Sequence, residues 1–282
     1  MKKLKTYNEL FESIVKKLNY SDQNLTELSE LPDTLEELNC SYNKLTELPK
    51  LPEKLEKLDC DINKLTELPE LPDSLNILYC YGNKLTKLPK LPEKLEILSC
   101  SFNKLKEIPE LLNIQKLYCN HNNLIILSEL PEKLEILSCY NNKLKELPEL
   151  PDTLKELVCS NNQLTELPKL PKLLKMLNCE NNQITKLPDL PDTLKKLVCS
   201  KNKLKELPEL PESLEKLNCE NNKLTELPEL PESLKKLYCS NNKLPYDNLE
   251  GYWEWFHEYY PIHYPKKYKK YLVKKKSKKY NI

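Results

Sequence analysis

The chain has two glycines and three histidines among 282 residues, and it has no arginine. Each shortage excludes something. Gly82 and Gly251 stand alone, so there is no glycine-rich loop whose backbone amides could cradle a phosphate. His121, His257 and His263 are scattered between one repeat and the C-terminal segment, without the spacing of a metal or acid–base site. Lack of arginine removes the bidentate fork that reads phosphates and base edges, which counts against sequence-specific nucleic-acid binding. No run approaches the ~18 uninterrupted apolar residues of a membrane-spanning helix. Met1-Lys2-Lys3 leads into a charged amphipathic stretch, not into the apolar core of a secretory signal.

What is present is a period. Eleven cysteines occupy one slot of one repeat: Cys40, Cys60, Cys80, Cys100, Cys119, Cys139, Cys159, Cys179, Cys199, Cys219 and Cys239. The step is twenty residues, except for nineteen between Cys100 and Cys119. Three residues after each cysteine stands an asparagine: Asn43, Asn63, Asn83, Asn103, Asn122, Asn142, Asn162, Asn182, Asn202, Asn222 and Asn242. We number the turns by these cysteines, Cys40 marking turn one and Cys239 turn eleven. A period of this length, held over most of the chain, dictates a stack of similar turns.

Within one turn, Leu38 and Cys40 alternate around polar Asn39, which reads as a very short strand with one face buried. Twenty residues leave no room for a useful helix. Leu48-Pro49-Lys50-Leu51-Pro52 suits an extended, polyproline-like return, because proline fixes φ and the residue before it avoids the helical region. One such turn buries too little to stand alone. Neighbouring turns must supply hydrogen bonds and cover both flanks. The asparagine carbonyl and amide are suited to bond backbone groups that the chain reversal leaves unpaired, both at the corner and in the adjoining turn.

The unit LxxLxCxxNxLxxLPxLPxx resembles a leucine-rich repeat with Cys in the third apolar slot. Its doubled Leu-Pro return is similar to the short repeats of secreted bacterial effectors, and its Asn-, Lys- and Cys-rich style resembles uncharacterised giant-virus leucine-rich-repeat proteins. The resemblance covers roughly residues 15–245. It implies a curved solenoid with a parallel β-sheet on the concave face, an extended convex face and helical caps at both ends. For function it implies protein recognition on the concave face. Some effector relatives append a ubiquitin-ligase domain, and nothing after Leu244 is long enough to be one.

The expected organisation is a helical cap over residues 1–19, a solenoid of one degenerate and eleven regular repeats over 20–245, an aromatic cap over 246–265 and a lysine-rich tail over 266–282. Thr6-Tyr7-Asn8-Glu9 fits a capping box, and Tyr7, Leu10, Phe11, Ile14, Val15 and Leu18 recur at helical spacing. Tyr20 and Gln23 fill the Cys and Asn slots of the degenerate turn. After Leu244, Asp247 and Glu250 again have capping-box spacing, and Leu249, Tyr252, Trp253, Phe256 and Tyr260 form one apolar face ended by Pro261. Nine of the 44 lysines fall between Lys266 and Lys279 without an acid among them, leaving 35 basic against 43 acidic residues before them. Such a block either solubilises the chain or steers it non-specifically to nucleic acid or acidic lipid.

The cysteine column raises metal, disulfide and nucleophile readings. Stacked residues make a line rather than the tetrahedron zinc requires, and no CxxC occurs. Parallel stacking holds neighbouring side chains about 4.8 Å apart and pointing alike, wrong for a disulfide. A nucleophile needs an exposed thiol beside a base. The remaining reading is eleven small buried hydrophobes. So many free thiols lead us to expect a reducing compartment, with cytoplasm first and nucleus as the alternative. No catalytic set, metal site or cofactor is expected.

Residues flanking the buried Leu and Cys should face out of the concave sheet. Turn two offers Lys57, Asp59, Asp61 and Ile62. Apolar and aromatic residues concentrate on turns three to six: Ile77, Tyr79, Tyr81, Ile97, Phe102, Tyr118, His121, Ile136 and Tyr140. Asn120 and Ser138 share those slots, and later turns show mainly Asn, Ser, Lys and Glu. Aromatic clusters ringed by polar groups are what interface cores favour. The sequence therefore reads as a non-enzymatic module that binds an unidentified protein partner on turns three to six. The alternative is electrostatic anchoring through Lys266–Lys279 with the repeats as spacer.

Overall fold

The computed structural model describes residues 15–263 and Lys269. Twelve parallel strands form one sheet in chain order, from β1 (Lys17–Asn19) to β12 (Lys236–Tyr238). Each strand has three residues, and from β2 onward the central leucine is buried, Leu18 of β1 being half-buried: Leu38 of β2 (Glu37–Asn39) pairs with Leu58 of β3 (Lys57–Asp59), and so on down the stack. A parallel ladder this short is continued past the strand by the cysteine, whose N–H donates to the next turn. Cys60 N reaches Tyr79 O at 2.8 Å. The interior is a column of leucine and cysteine, with all eleven thiols fully buried.

The asparagine column joins consecutive turns. Asn63 Nδ2 donates to Cys40 O at 3.0 Å in the preceding turn and to Cys60 O at 3.2 Å in its own. Its Oδ1 accepts from Leu45 N at 3.0 Å. One side chain thus satisfies buried donors and acceptors in two turns, and Ala would leave them orphaned.

At the corner before ten of the twelve strands, a leucine N–H bonds the proline carbonyl three residues back, as in Leu95 to Pro92 at 3.1 Å. A serine or threonine then staples turns together: Ser74 Oγ donates to Glu53 O at 2.9 Å and to Leu55 O at 2.7 Å. The missing residue between Cys100 and Cys119 falls at this corner, where Leu112 replaces proline. Asn113 takes over the staple, its Nδ2 donating to Glu93 O at 3.1 Å. Register survives, with Leu98 of β5 (Ile97–Ser99) opposite Leu117 of β6 (Lys116–Tyr118).

Both ends differ from expectation. The helix expected through residue 19 has given way by Lys17, because pairing with β2 supplies ladder partners: Lys16 O accepts from Glu36 N at 2.8 Å and from Glu37 N at 2.9 Å. The rest of that helix call lies outside the described residues. At the other end Asn248, not Asp247, caps α1 (Leu249–Glu254), its side chain accepting from Gly251 N at 3.0 Å. A π-helical turn, Trp255–Tyr259, follows, and α2 (Tyr260–His263) runs through Pro261 instead of ending there. Proline brings no N–H and clashes with the carbonyl four residues back; a wider turn just before it relieves both. The segment before α1 closes the sheet edge: Tyr238 bridges Asn248, and Cys239 N donates to Asp247 O at 3.1 Å. Tyr246, Tyr252 and Phe256 are buried against the last turn. Apart from Lys269, the lysine-rich tail lies outside the described residues.

Candidate functional site

The concave face is built from four side-chain columns per turn. Two flank the central leucine of each strand, and two follow the cysteine. The second residue after each cysteine sits in the left-handed region along the whole stack, from Tyr42 at φ 56° to Asn241 at φ 56°. Asn tolerates this conformation best among residues with a Cβ. Asn141, Asn161, Asn181, Asn221 and Asn241 occupy it in the later turns. Earlier turns hold Tyr42, Ile62, Gly82, Phe102 and His121 there instead. Gly82, at φ 66°, also makes room for Ile62: a Cβ on it would lie 3.2 Å from Ile62 Cγ1.

Phe102 and His121 from this slot meet Tyr81 and Tyr140, which directly follow Cys80 and Cys139. Tyr81 and Phe102 have ring centroids 5.1 Å apart, Phe102 stacks on His121 at 3.8 Å, and His121 meets Tyr140 edge-on at 5.1 Å. The result is an unbroken aromatic column across turns three to six. Phe102 is 42 % exposed, and the other three rings are half-buried. Asn141 Nδ2 faces His121 Nε2 at 2.8 Å, and burial holds the imidazole below its ordinary pKa, so the ring is a neutral member of the stack.

The strand residues join less completely. Ile77 of β4 (Ile77–Tyr79) lies opposite Ile97, but Lys116 separates Ile97 from Ile136 of β7 (Ile136–Ser138). Ser99 likewise stands between Tyr79 and Tyr118. Lys57 Nζ sits 5.7 Å from the Tyr79 ring centroid, a cation–π contact at the edge of the patch. Asn120 and Ser138, read from sequence as facing outward, are buried at 8 % and 7 % exposure. They satisfy one another: Ser138 Oγ donates to Asn120 Oδ1 at 2.7 Å, and Asn120 Nδ2 donates to Ser101 Oγ at 3.1 Å. A polar chain thus runs among the buried groups of turns four to six.

Sequence reasoning did not single out the carboxylates of turn two. Burial, with the Asp59 charge beside it, raises the pKa of Asp61 to about 6, while its Oδ1 accepts from Tyr81 N at 2.6 Å. Asp59 is raised as well, chiefly by burial. The aromatic column therefore begins against an acidic pair. The thiols offer no chemistry: burial pushes Cys100 and Cys139 up to about 12, far from any thiolate at neutral pH. Among the described residues no helix is long and apolar enough to cross a membrane.

Comparison with known proteins places this geometry. The model of Leucine Rich repeats (2 copies) matches residues 152–192, and that of Leucine Rich Repeat matches 34–55 and 213–234. The solved structure of YopM, a leucine-rich effector protein from Yersinia pestis, is 37 % identical and superposes with TM-score 0.66, over 80 % of this chain and 77 % of that one. The chain belongs to the leucine-rich repeat family. YopM from Yersinia enterocolitica WA-314 is 44 % identical with TM-score 0.77, over 79 % of this chain and 50 % of that one. This chain therefore matches only half of that relative's length. The functional domain of InlJ from Listeria monocytogenes, whose structure includes a cysteine ladder, is 29 % identical with TM-score 0.63, over 86 % of this chain and 62 % of that one. No curated protein sequence matches the chain.

Proposed function

We propose that this leucine-rich repeat protein is a protein-interaction module whose partner docks on the concave face of turns three to six. The observation that carries this reading is the Tyr81–Phe102–His121–Tyr140 column. Phe102 at φ 55° and His121 at φ 50° hold a backbone conformation that the later turns give to Asn. A bulky residue in that region costs about 1–3 kcal/mol and persists where side-chain placement matters. The column supplies rigid aromatic surface, the half-buried Ile77, Ile97, Tyr79 and Tyr118 extend it, and Asp59, Asp61 and Lys57 form a polar edge. That is the composition of an interface core with its rim.

Affinity capture from a cell lysate, read by mass spectrometry, supplies the partner. The variant Tyr79→Ser, Tyr81→Ser, Tyr118→Ser, Tyr140→Ser should then lower capture by about 1,000-fold, since four truncated aromatic anchors at about 1 kcal/mol each cost about 4 kcal/mol together. Its circular dichroism and melting should stay close to the parent's. Unchanged capture by this folded variant would remove the concave patch from consideration.

A further inference from the structure

The return side of turns eight to ten carries a second feature, independent of the concave face. A groove of about 1350 Å³ runs over turns eight to ten and ends against Trp253 of the C-terminal cap. Leu187, Leu207 and Leu230 form its floor together with Pro208, Pro211 and Pro231. Two in-register columns of exposed acids line it, Asp189, Glu209 and Glu229 in one and Asp192, Glu212 and Glu232 in the other. The same slots of the preceding turn hold Lys169 and Lys172, so the acidic block starts where the groove starts.

We propose that this groove is the docking site for the chain's own lysine-rich segment, Lys266–Lys279. Charge, reach and chemistry support this occupant. The segment carries nine lysines without an acid, opposite a rim with six carboxylates in the two columns. Trp253 lines the groove, and only Tyr264 and Pro265 lie between the end of α2 at His263 and the first lysine. Three residues reach about 10 Å, and fourteen residues span about 21 Å even at a helical rise, the state of Lys269. Three turns spaced about 4.8 Å apart demand less. Lysine suits this surface better than arginine would. Its aliphatic stem lies along leucine and proline while the ammonium reaches a carboxylate at the rim. Tyr268, Tyr271 and Leu272, interleaved with the lysines, give the segment apolar groups for the floor.

Zero-length carbodiimide coupling on the full chain, followed by peptide mapping, tests this directly, because it joins only amines and carboxylates in contact. Links from Lys266–Lys279 should concentrate on Glu209, Glu212, Glu229 and Glu232. They should fall about fivefold between roughly 50 mM and 500 mM salt, where screening shortens the reach of exposed charges. Dilution should leave them unchanged, as an intrachain contact requires. The variant Glu209→Gln, Glu212→Gln, Glu229→Gln, Glu232→Gln alters only exposed positions and should shift tryptophan emission in the direction that salt does. Trp253 and Trp255 are the chain's two tryptophans, so that signal reports this end of the molecule. Links spread evenly over the other acids, links that rise with concentration, or emission indifferent to both salt and variant would overturn the proposal.

Discussion

The early turns and the late turns of this solenoid share one interior but have different concave faces. Leucine, cysteine and asparagine columns run through both with the same pattern of hydrogen bonds, although Asn162, Asn222 and Asn242 of the late turns are half-buried where the other asparagines are buried. The left-handed slot does change. From turn six onward it holds Asn in five of six turns, with Lys201 the exception, and the backbone is comfortable. In turns one to five it holds Tyr42, Ile62, Gly82, Phe102 and His121. Ile62 at φ 50° is the least comfortable of these, because a β-branched side chain crowds that region. Places where a repeat abandons its own local rule are where something other than folding sets the sequence. Under the function proposed above, the difference separates a scaffold half from a half that meets the partner.

The largest effect should show what the halves have in common. Asn103→Ala in turn four and Asn202→Ala in turn nine each remove a side chain that accepts a backbone N–H, from Leu85 and Ile184 respectively, and donates to cysteine carbonyls of two turns. Leaving those buried groups unpaired should cost about 2–4 kcal/mol at either site, measured by urea unfolding. Equal losses mean that the interior is uniform. A much smaller loss in the early turns would mean the two halves differ below the surface too.

Much of this was legible in the residues. The twenty-residue step fixed the parallel register, and the Leu, Cys and Asn slots named the buried positions. Residues 15–19 were ambiguous because Leu18 fits a helical period with Ile14 and Val15 and also the twenty-residue register with Leu38. The choice fell to ladder pairing with β2, which no local pattern reports. Burial of Asn120 and Ser138 depends on Ser101 in a neighbouring turn, so it could not be read from either slot alone. The left-handed column had a visible trace, a run of Asn just before the invariant Asn with Gly82 in the same slot. Bulky side chains at Tyr42, Ile62, Phe102 and His121 hid it, and two of these, Phe102 and His121, belong to the candidate site.

A smaller effect addresses the slot itself. Ile62→Asn should raise stability by about 0.5–1 kcal/mol, relief of backbone crowding outweighing the loss of Ile62 packing over Gly82. The reciprocal change Asn221→Ile should cost about 1 kcal/mol in the late half. Midpoints of urea unfolding give both numbers. If both substitutions are neutral, the backbone of this slot is not strained by bulky residues, and the contrast between the halves reduces to surface composition.

The smallest effect concerns the acidic start of the aromatic column, and it depends on pH. Asp61 titrates at about 6 in the folded chain, raised first by burial and then by Asp59, against about 3.9 when unfolded. Between those values the folded state binds more proton than the unfolded state, so stability falls as pH rises from about 4 to 6 and stays lower above. Asn at this position keeps an oxygen to accept from Tyr81 N and removes the charge. After allowance for solvent screening, Asp61→Asn should gain about 1 kcal/mol above pH 6, little below pH 4, and lose the slope between. Melting temperatures of both proteins across that range measure it. A parallel pH dependence in the two would mean that Asp61 is well solvated and not part of a desolvated edge of the concave patch. Partner capture by Asp61→Asn at pH 7 separates the roles further. If the carboxylate is retained to meet a cation on the partner, the variant should be more stable and yet bind about tenfold more weakly, because an interfacial charge pair is worth more than an exposed one.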